Sequence, residues 1–524
     1  MNPPILSCGQ AGAFEKDFFG GDAEREWAAM QAAGGAIART VALDGLEAGP
    51  TWEGARLLAL VGKGNNGGDA LIAAGRLLAL WPKATVDVAF AFGERSLKPL
   101  AARAWQALQQ AERGRVRVAG SGAGGWGGAA SYDLSLDGVF GFQFRPPLPE
   151  EVVRLLDRAN ALPVRVRAAV DLPSGLGGNS AFRADFTYAT GSVKAEAVDL
   201  PNAGRIRYLD LGFFDGGRES AATDRVLTVD VLRPLGGLRP ARGDKRTYGH
   251  VFIVGGSLSF PGAVLMNVLA ALHSGVGLVT AFVPESLVPA FAARAPEAMW
   301  VGWPETPDGG LAWEGRHLLF ERARRASAIA MGSGLARAPE TLALVKEIVG
   351  SAQVPVLLDG DALQPETVSA KQGPLLLTPH AGEFERIAGK ASLREFCAKS
   401  GATVVLKGPV TRICSGEAPG RGKRAATTGH LPVFHSFFGG PILARGGSGD
   451  VLAGLAAGQL AMLAAAETAG SDADAHGHPT LTAACRAAAW HGMAADALAR
   501  HAGQTSATVT GLIDRLPEVL RYRS

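Results

Sequence analysis

The chain has 524 residues, 47% hydrophobic and 19% charged, the profile of a soluble, well-packed protein too long for one core and predicted to form roughly two to four domains. A formal net charge of +3 is small for this length, so neither a nucleic acid nor another polyanion is expected as partner. Cys8, Cys397, Cys414 and Cys485 lie far apart with no C-x-x-C pair, which argues for free thiols in a reducing compartment.

The stretch Ile5-Leu6-Ser7-Cys8 faintly resembles a lipoprotein cleavage site, but no basic region or long apolar segment comes before it, so a cytoplasmic protein is expected. Seventy glycines, about twice the usual share, punctuate short apolar runs. In the first half, Leu57–Val61, Thr85–Phe90, Leu134–Val139 and Arg165–Val170 read as buried strands, with helices at Asp69–Leu80 and Pro99–Ala111 between them. Alternation of this kind predicts an α/β unit with a parallel sheet. Pro234, Gly236, Gly237 and Pro240 then crowd together, which puts a boundary near 222–238. A second α/β series follows, with strands at His250–Val254, Val276–Val283, Ser327–Met331, Val354–Leu358, Leu375–Thr378 and Thr403–Lys407. Its helices are expected at Ala263–Ser274, Asp450–Ala466 and Ala483–Ala499. The stretch Val451–Ala466 is Gly-punctuated and short for a bilayer, so a buried helix is expected and no membrane partner. Residues 120–130 and 416–429 read as solvated loops, as does the alternation of Asp472, Asp474, His476 and His478, which no fixed element presents to a metal.

Gly62-Lys63-Gly64-Asn65-Asn66-Gly67 matches G-x-G-x-x-G between a strand and a helix, and Asp87 lies about twenty residues further on, as a dinucleotide fingerprint asks. The continuation Asn65-Asn66-Gly67-Gly68-Asp69 adds two amides and a carboxylate, polar groups that imply a hydrated ligand or a cation. Asp137 and Asp171 end two further strands and can converge with Asn66 on one sheet edge; each alone would read as a helix cap or an Asx turn. Near the other end, Gly446-Gly447-Ser448-Gly449-Asp450 opens an apolar helix. Backbone N–H groups there suit a phosphate. A carboxylate among them suits proton transfer beside a moving phosphoryl; the plainer alternative is an ordinary first-turn acid at Asp450.

The phrases GxGNNGGD, D-x-x-F-G from Asp137 and V-D-x-P-S-G from Val170 resemble the N-terminal epimerase domain of the bifunctional NAD(P)H-hydrate repair enzymes. From Lys245 on, the ordered motifs K-x-x-x-G-H-V-x-x-V-G-G-S, Met331-Gly332-Ser333-Gly334-Leu335, Thr378-Pro379-His380-Ala381-Gly382-Glu383, Leu406-Lys407-Gly408-Pro409 and the Gly446–Asp450 run resemble the dehydratase domain of the same enzymes. The resemblance implies α/β architecture in two domains, a Rossmann-like three-layer epimerase domain over 1–222 and a ribokinase-like dehydratase domain over 239–524, joined by a linker at 223–238. It implies repair of hydrated NADH and NADPH, by epimerising the hydrate and by ADP-dependent dehydration of its S form.

On that resemblance the hydrate is held in the first domain by Asn65, Asn66, Gly67, Gly68, Asp69 and the stretch Gly141, Phe142, Gln143, Phe144, Arg145, Pro146 and Pro147, with Asp171 as acid or base. Asn66, Asp137 and Ser174 are implied to hold potassium, an ion suited to oxygen ligands. In the second domain Ala263, Gly334, His380 and Asp450 are implied to meet the hydrate, Asp450 as the base. Lys407, Gly408, Pro409, Val410 and Thr411 with Gly446, Gly447, Ser448 and Gly449 are implied to hold ADP and the transferring phosphoryl, with magnesium expected. A homo-oligomer acting on small molecules is expected. The chain departs from the family's usual pattern at Ala70, at Gly141-Phe142-Gln143-Phe144, at Gly332-Ser333-Gly334-Leu335-Ala336 and at Asp359-Gly360-Asp361. The altered Gly141–Phe144 loop leaves open a dehydratase whose first domain is only a dinucleotide-binding module. A dehydrogenase–kinase fusion is the other alternative, though no second lobe follows the G-x-G-x-x-G.

Overall fold

The structure, a computed structural model, describes residues 2–119, 131–215, 222–416, 431–469 and 478–521. The expected loop at 120–130, all of the one at 416–429 except Gly416, and Asp472, Asp474 and His476 lie outside the described residues. The chain divides into two compact units, one of Met1–Val226 with Ala499–Ser506 and one of Leu227–Leu498 with Ala507–Ser524.

In the first unit, β1 (Ile5–Leu6), α1 (Cys8–Phe19) and α2 (Ala23–Gly45) precede β2 (Arg56–Val61), α3 (Asn65–Leu80), β3 (Thr85–Phe90), α4 (Pro99–Ala111), β4 (Val116–Val118) and β5 (Tyr132–Gly138). Then come α5 (Glu150–Ala161), β6 (Val164–Val170), β7 (Phe186–Thr190), β8 (Val193–Lys194), β9 (Arg205–Leu209) and the short β10 (Asp224–Val226). Seven strands form a sheet in the order β4-β3-β2-β5-β6-β7-β9, with every neighbouring pair parallel. Near-continuous apolar runs such as Leu57–Val61 fit this arrangement, because a parallel sheet is covered on both faces. The order reverses at β2 and β5, so their carboxyl ends flank the crevice where ligands bind in such sheets.

In the second unit the strands are β11 (His250–Val254), β12 (Leu278–Pro284), β13 (Met299–Trp303), β14 (Ala328–Met331), β15 (Val356–Leu358), β16 (Leu375–Leu377), β17 (Thr403–Leu406), β18 (Thr411–Ser415) and β19 (Val433–Ser436). They run in the order β19-β18-β17-β16-β15-β14-β11-β12-β13, parallel from β17 to β13 and antiparallel at β17–β18–β19. The helices are α6 (Pro261–His273), α7 (Val288–Arg294), α8 (Arg316–Phe320), α9 (Pro339–Ser351), α10 (Pro365–Ala370), α11 (Ala381–Ala388), α12 (Leu393–Ser400), α13 (Ser448–Thr468), α14 (Pro479–Ala502) and α15 (Val509–Arg521). At 21 residues α13 is longer than its sequence suggests and is long and apolar enough to cross a membrane, yet 72% of its apolar window is buried inside the fold. It is the core helix of this unit.

Two boundaries change how the site residues are presented. The helix expected from Asp69 begins at Asn65, so the two amides and two glycines are its first turn rather than a preceding loop. Asp87 falls in mid-strand in β3, buried and accepting the Tyr132 hydroxyl at 2.8 Å, so it does not stand at a strand end for a ribose.

Candidate active sites

In the first unit the turn from β2 into α3 packs backbone on backbone. A Cβ on Gly62 would lie 1.9 Å from the Val139 carbonyl oxygen, and one on Gly67 would lie 2.2 Å from that of Gly62. Only glycine admits that approach. No side chain caps α3, so its first N–H groups remain open toward the crevice. Ala70 is fully buried against Gly138 and does not line the cleft, so its methyl is a packing detail.

Asp137 at the end of β5 is fully buried and accepts three hydrogen bonds, from the Ser174 N–H (2.7 Å), the Ser174 hydroxyl (2.7 Å) and the Val139 N–H (3.2 Å). Burial pushes its carboxyl up to about 6 against those bonds. Among the described residues it has no ion pair, and the buried Asn66 Nδ2 has no hydrogen-bond partner. A Cβ on Gly141 would lie 3.3 Å from both Asn66 Oδ1 and Asp171 Oδ2, so both oxygens border Gly141. The buried Asp137 carboxylate and Ser174 hydroxyl, with the Asn66 carbonyl oxygen beside Gly138 on the neighbouring turn, offer oxygen ligands of the kind that suits a hard monovalent cation.

Asp171 takes a left-handed backbone (φ 65°), strain of the kind retained at functional sites. Its Oδ1 accepts from the fully buried Lys194 ammonium, and its Oδ2 from the Phe142 N–H at 3.4 Å. Lys194 also reaches the Ser192 carbonyl at 3.0 Å and lies 5.1 Å from the centre of the Phe142 ring. The Gly141–Pro147 stretch is a turn closed by Phe144 N–H to the Gly141 carbonyl, with Phe144 stacked on Phe140 at 4.6 Å. Arg145 folds back onto the Phe142 and Phe144 carbonyls, and Pro146 and Pro147 are exposed. Of this stretch, Gln143 lines the cleft. That cleft, about 400 Å³, is also bounded by Asn65, Asp69, Thr190 and Glu15. Burial, with Asp171 and Glu15 adding to it, pushes the Asp69 carboxyl well above its ordinary range.

Sequence reasoning missed Lys194 and the whole of α1. The signal for α1 was present: Ser7 accepts from the Gln10 N–H at 3.2 Å while the Gln10 side chain accepts from the Ser7 N–H, a capping box where a cleavage-site lookalike was read.

In the second unit the loop after β14 meets the N-terminus of α6. Gly334 (φ 69°) would place a Cβ 2.4 Å from the Phe260 carbonyl oxygen and 3.1 Å from the Ala263 Cβ, so Ala263 and Gly334 are neighbours. Ala336 is also left-handed (φ 62°), where a side chain is strained. The buried Asn267 donates to the Ser333 hydroxyl at 3.0 Å, and Ser333 in turn bonds the Asp450 side chain. His380 caps α11, its Nδ1 accepting from the Gly382 and Glu383 N–H groups and its Nε2 lying 3.3 Å from Glu383. That fixes Nε2–H as its donor face.

Lys407 follows β17 with its ammonium 2.9 Å from Asp359 Oδ1 and 3.9 Å from Glu383. A Cβ on Gly449 would lie 3.2 Å from that same nitrogen, so Lys407, Gly449 and Asp450 meet at the start of α13. Burial opposes the ammonium, but Asp359, Glu383 and Asp450 outweigh it and hold the Lys407 pKa above its usual value. Burial, then the Asp359 charge, push the Asp450 carboxyl up to about 6, while Ser333 and Lys407 pull it back. Gly447, left-handed at φ 95°, caps α13 without a side-chain bond, leaving the Gly449 N–H open. The Ser448 N–H and hydroxyl are instead turned onto the Arg445 and Leu443 carbonyls, so Ser448 shapes the turn. Gly408 and Pro409 form the exposed tip of the β17–β18 hairpin, with Val410 and Thr411 half-buried behind them. Asn267 was not singled out by sequence, and Asp359, Glu383 and Ser333 entered only as motif positions with no role given them.

Residues 26–196 match the YjeF-related protein N-terminus family, and residues 251–518 match the NAD(P)H-hydrate dehydratase family. The chain is 33% identical over 499 residues to the bifunctional NAD(P)H-hydrate repair enzyme Nnr of Moorella thermoacetica, covering 89% of this chain and 87% of that protein. It is 30% identical over 521 residues to the enzyme of the same name from Thermofilum pendens, covering 94% and 91%. Among solved structures, an ADP/ATP-dependent NAD(P)H-hydrate dehydratase from Bacillus subtilis, co-crystallised with ATP and Mg2+, is 27% identical with a TM-score of 0.44, covering 58% of this chain and 99% of that one. A ribokinase-like superfamily protein from Enterococcus faecalis is 26% identical with a TM-score of 0.46, covering 58% and 98%.

Proposed function

Since the chain belongs to the bifunctional NAD(P)H-hydrate repair enzymes, we propose that each of its two sites carries out one step of the repair, with the residues and the phosphoryl donor named below. The protein is an enzyme of metabolite repair with NAD(P)H-hydrate epimerase and dehydratase domains. We assign the epimerase domain to 1–222 and the dehydratase domain to 239–524.

The observation that carries the dehydratase assignment is the meeting of Asp450, Lys407 and Gly449 at an uncapped helix N-terminus. The open N–H groups and the Lys407 ammonium hold the transferring phosphoryl, chiefly through electrostatics prepared in advance. Asp450 takes the proton from the hydrate's hydroxyl as that oxygen attacks the terminal phosphorus of ADP and AMP leaves. Phosphate then departs from the ring carbon with its bonding pair, the neighbouring C–H loses its proton, and the reduced nicotinamide is restored. His380 presents its Nε2–H, and Ala263 with Gly334 leaves a wall with no side chain larger than a methyl for the ring to lie against. The Lys407–Thr411 hairpin supports the nucleotide. Magnesium, when bound with ADP, neutralises phosphate charge.

In the epimerase domain the open α3 N-terminus, Asn65, Asp69 and Gln143 bind the hydrate, and Asp171 serves as acid or base with Lys194 as its charge partner. Asn66, Asp137 and Ser174 hold potassium, which when bound supplies positive charge beside the reacting ring. The chain is taken as a cytoplasmic homo-oligomer working on small molecules, which sedimentation and cell fractionation test. Mixing the purified protein with the epimeric hydrate of NADH and ADP tests the whole assignment. Full recovery of reduced-nicotinamide absorbance supports both activities, recovery of about half supports dehydration alone, and no recovery rejects the dehydratase assignment.

A further inference from the structure

Glu15 lies on α1 three residues after Gly12, and both line the cleft of the first unit with Asn65, Asp69 and Gln143. Several contacts fix α1 there. Strand β1 pairs Leu6 with Lys194, the Cys8 N–H donates to the Glu196 carboxylate at 2.8 Å, and a Cβ on Gly12 would touch the Phe142 ring at 3.5 Å. The helix packs on the Phe142 ring and that ring on the Asp171–Lys194 pair, so the pair lies behind the wall that α1 gives the cleft. There Asp171 is only 4% exposed, with Lys194 on one oxygen and the Phe142 N–H on the other. The carboxyls that line the open space are Glu15, Asp69 and Glu26.

We propose that Glu15 is the proton donor of the epimerisation, a role that rests on the epimerase assignment made above. The hydroxyl-bearing ring carbon inverts only if its C–O bond breaks and re-forms on the other face. As the C–O pair leaves with oxygen, the ring nitrogen's lone pair becomes a C–N π bond, and the Glu15 carboxyl gives that oxygen its proton. Water, a Glu15 carboxylate and a ring cation result. Water then adds to the opposite face with an oxygen pair, the π pair returns to nitrogen, and the released proton returns through cleft solvent to Glu15. Asp171, paired with Lys194, is the base counterpart assigned above: it relays the proton released by the added water toward Glu15, and its charge faces the ring cation from the strand end. Burial pushes the Glu15 carboxyl up to about 7, Lys194 pulling it down and Asp171 and Glu26 pushing it up. Lys16, Glu26 and Asp69 on the helices and Asp171 and Lys194 at the strand ends are the charged groups that surround it. A carboxyl still protonated near neutrality, set against one held by a cation, is the division of labour expected of an acid and its counterpart.

The test follows conversion of the purified R hydrate of NADH to its S epimer by chromatography, using the full chain without nucleotide and subtracting the buffer rate. E15Q should lower kcat by about 100-fold or more with KM little changed, E15D should keep part of the rate, and Asp17→Asn on the exposed side of α1 should match wild type. The acid form is the active one, so the wild-type rate should fall as pH rises through about 7, and E15Q should lack that limb. An E15Q rate within threefold of wild type, or a raised KM at unchanged kcat, overturns the proposal. A wild-type chain that adds nothing to the buffer rate overturns the epimerase assignment itself, and Glu15 with it.

Discussion

Asp450 is a carboxyl whose burial and Asp359 neighbour raise it to about 6, and a base must be deprotonated to act. The dehydration rate with ADP should therefore be full above that value and fall as pH is lowered through it, and D450N should lose on the order of 10²–10⁴-fold in kcat while still binding nucleotide. Persistent turnover in D450N would remove the base role. Ala336 offers a test of stability at the same scale. A left-handed alanine costs roughly 1–2 kcal/mol and glycine loses roughly 0.5–1 kcal/mol of that advantage in chain entropy. Ala336→Gly should then stabilise by about 0.5–1 kcal/mol, seen as a rise of a few degrees in Tm. At this scale the sequence disclosed residues carried by short motifs, such as Asp137, His380 and Asp450. It did not disclose Lys194, Asp359 or Asn267, because each acquires its role from a partner far away in the chain: Asp171, Lys407 and Ser333 respectively.

Among the elements, the long apolar core helix α13 was legible from its Gly-punctuated apolar stretch, and the strands from their glycine-bounded blocks. The α1–α2 pair was not, since its glycines, alanines and phenylalanines carry no clean helical stripe and the Ser7–Gln10 capping box that starts it draws notice only for a faint likeness to a cleavage site. The crossing of α13 over α6 depends on two glycines that have no local signature. A Cβ on Gly454 would lie 2.1 Å from the Asn267 carbonyl oxygen, and one on Gly458 would lie 1.9 Å from Ser274 Oγ. Gly454→Ala should force the helices apart at a cost of about 1–3 kcal/mol. Because Asn267 positions Ser333 and Ser333 bonds Asp450, dehydration should slow along with the loss in Tm. Conversion of R to S hydrate by the same variant should not change, and a Tm equal to wild type would show that the crossing can relax without cost.

For the molecule as a whole, the two activities rest on separate donor sets, one around Asp137, Asp171 and Glu15 and the other around Asp359, Lys407 and Asp450. No residue is shared. If each site works from its own unit, the partially repaired hydrate need only diffuse between them, and two differently damaged chains should complete each other. A mixture of the Asp450→Asn and Asp171→Asn chains, given the epimeric hydrate and ADP, should restore all of the reduced-nicotinamide absorbance, whereas Asp450→Asn alone restores none and Asp171→Asn alone restores about half at times short against spontaneous epimerisation. The final phase of the mixture should speed up in proportion to the Asp450→Asn chain added, since that chain supplies the only intact epimerase site. If the mixture stops at the level reached by Asp171→Asn alone while the wild type goes to completion, the hydrate passes between sites of one chain without release, and the independence of the two donor sets fails.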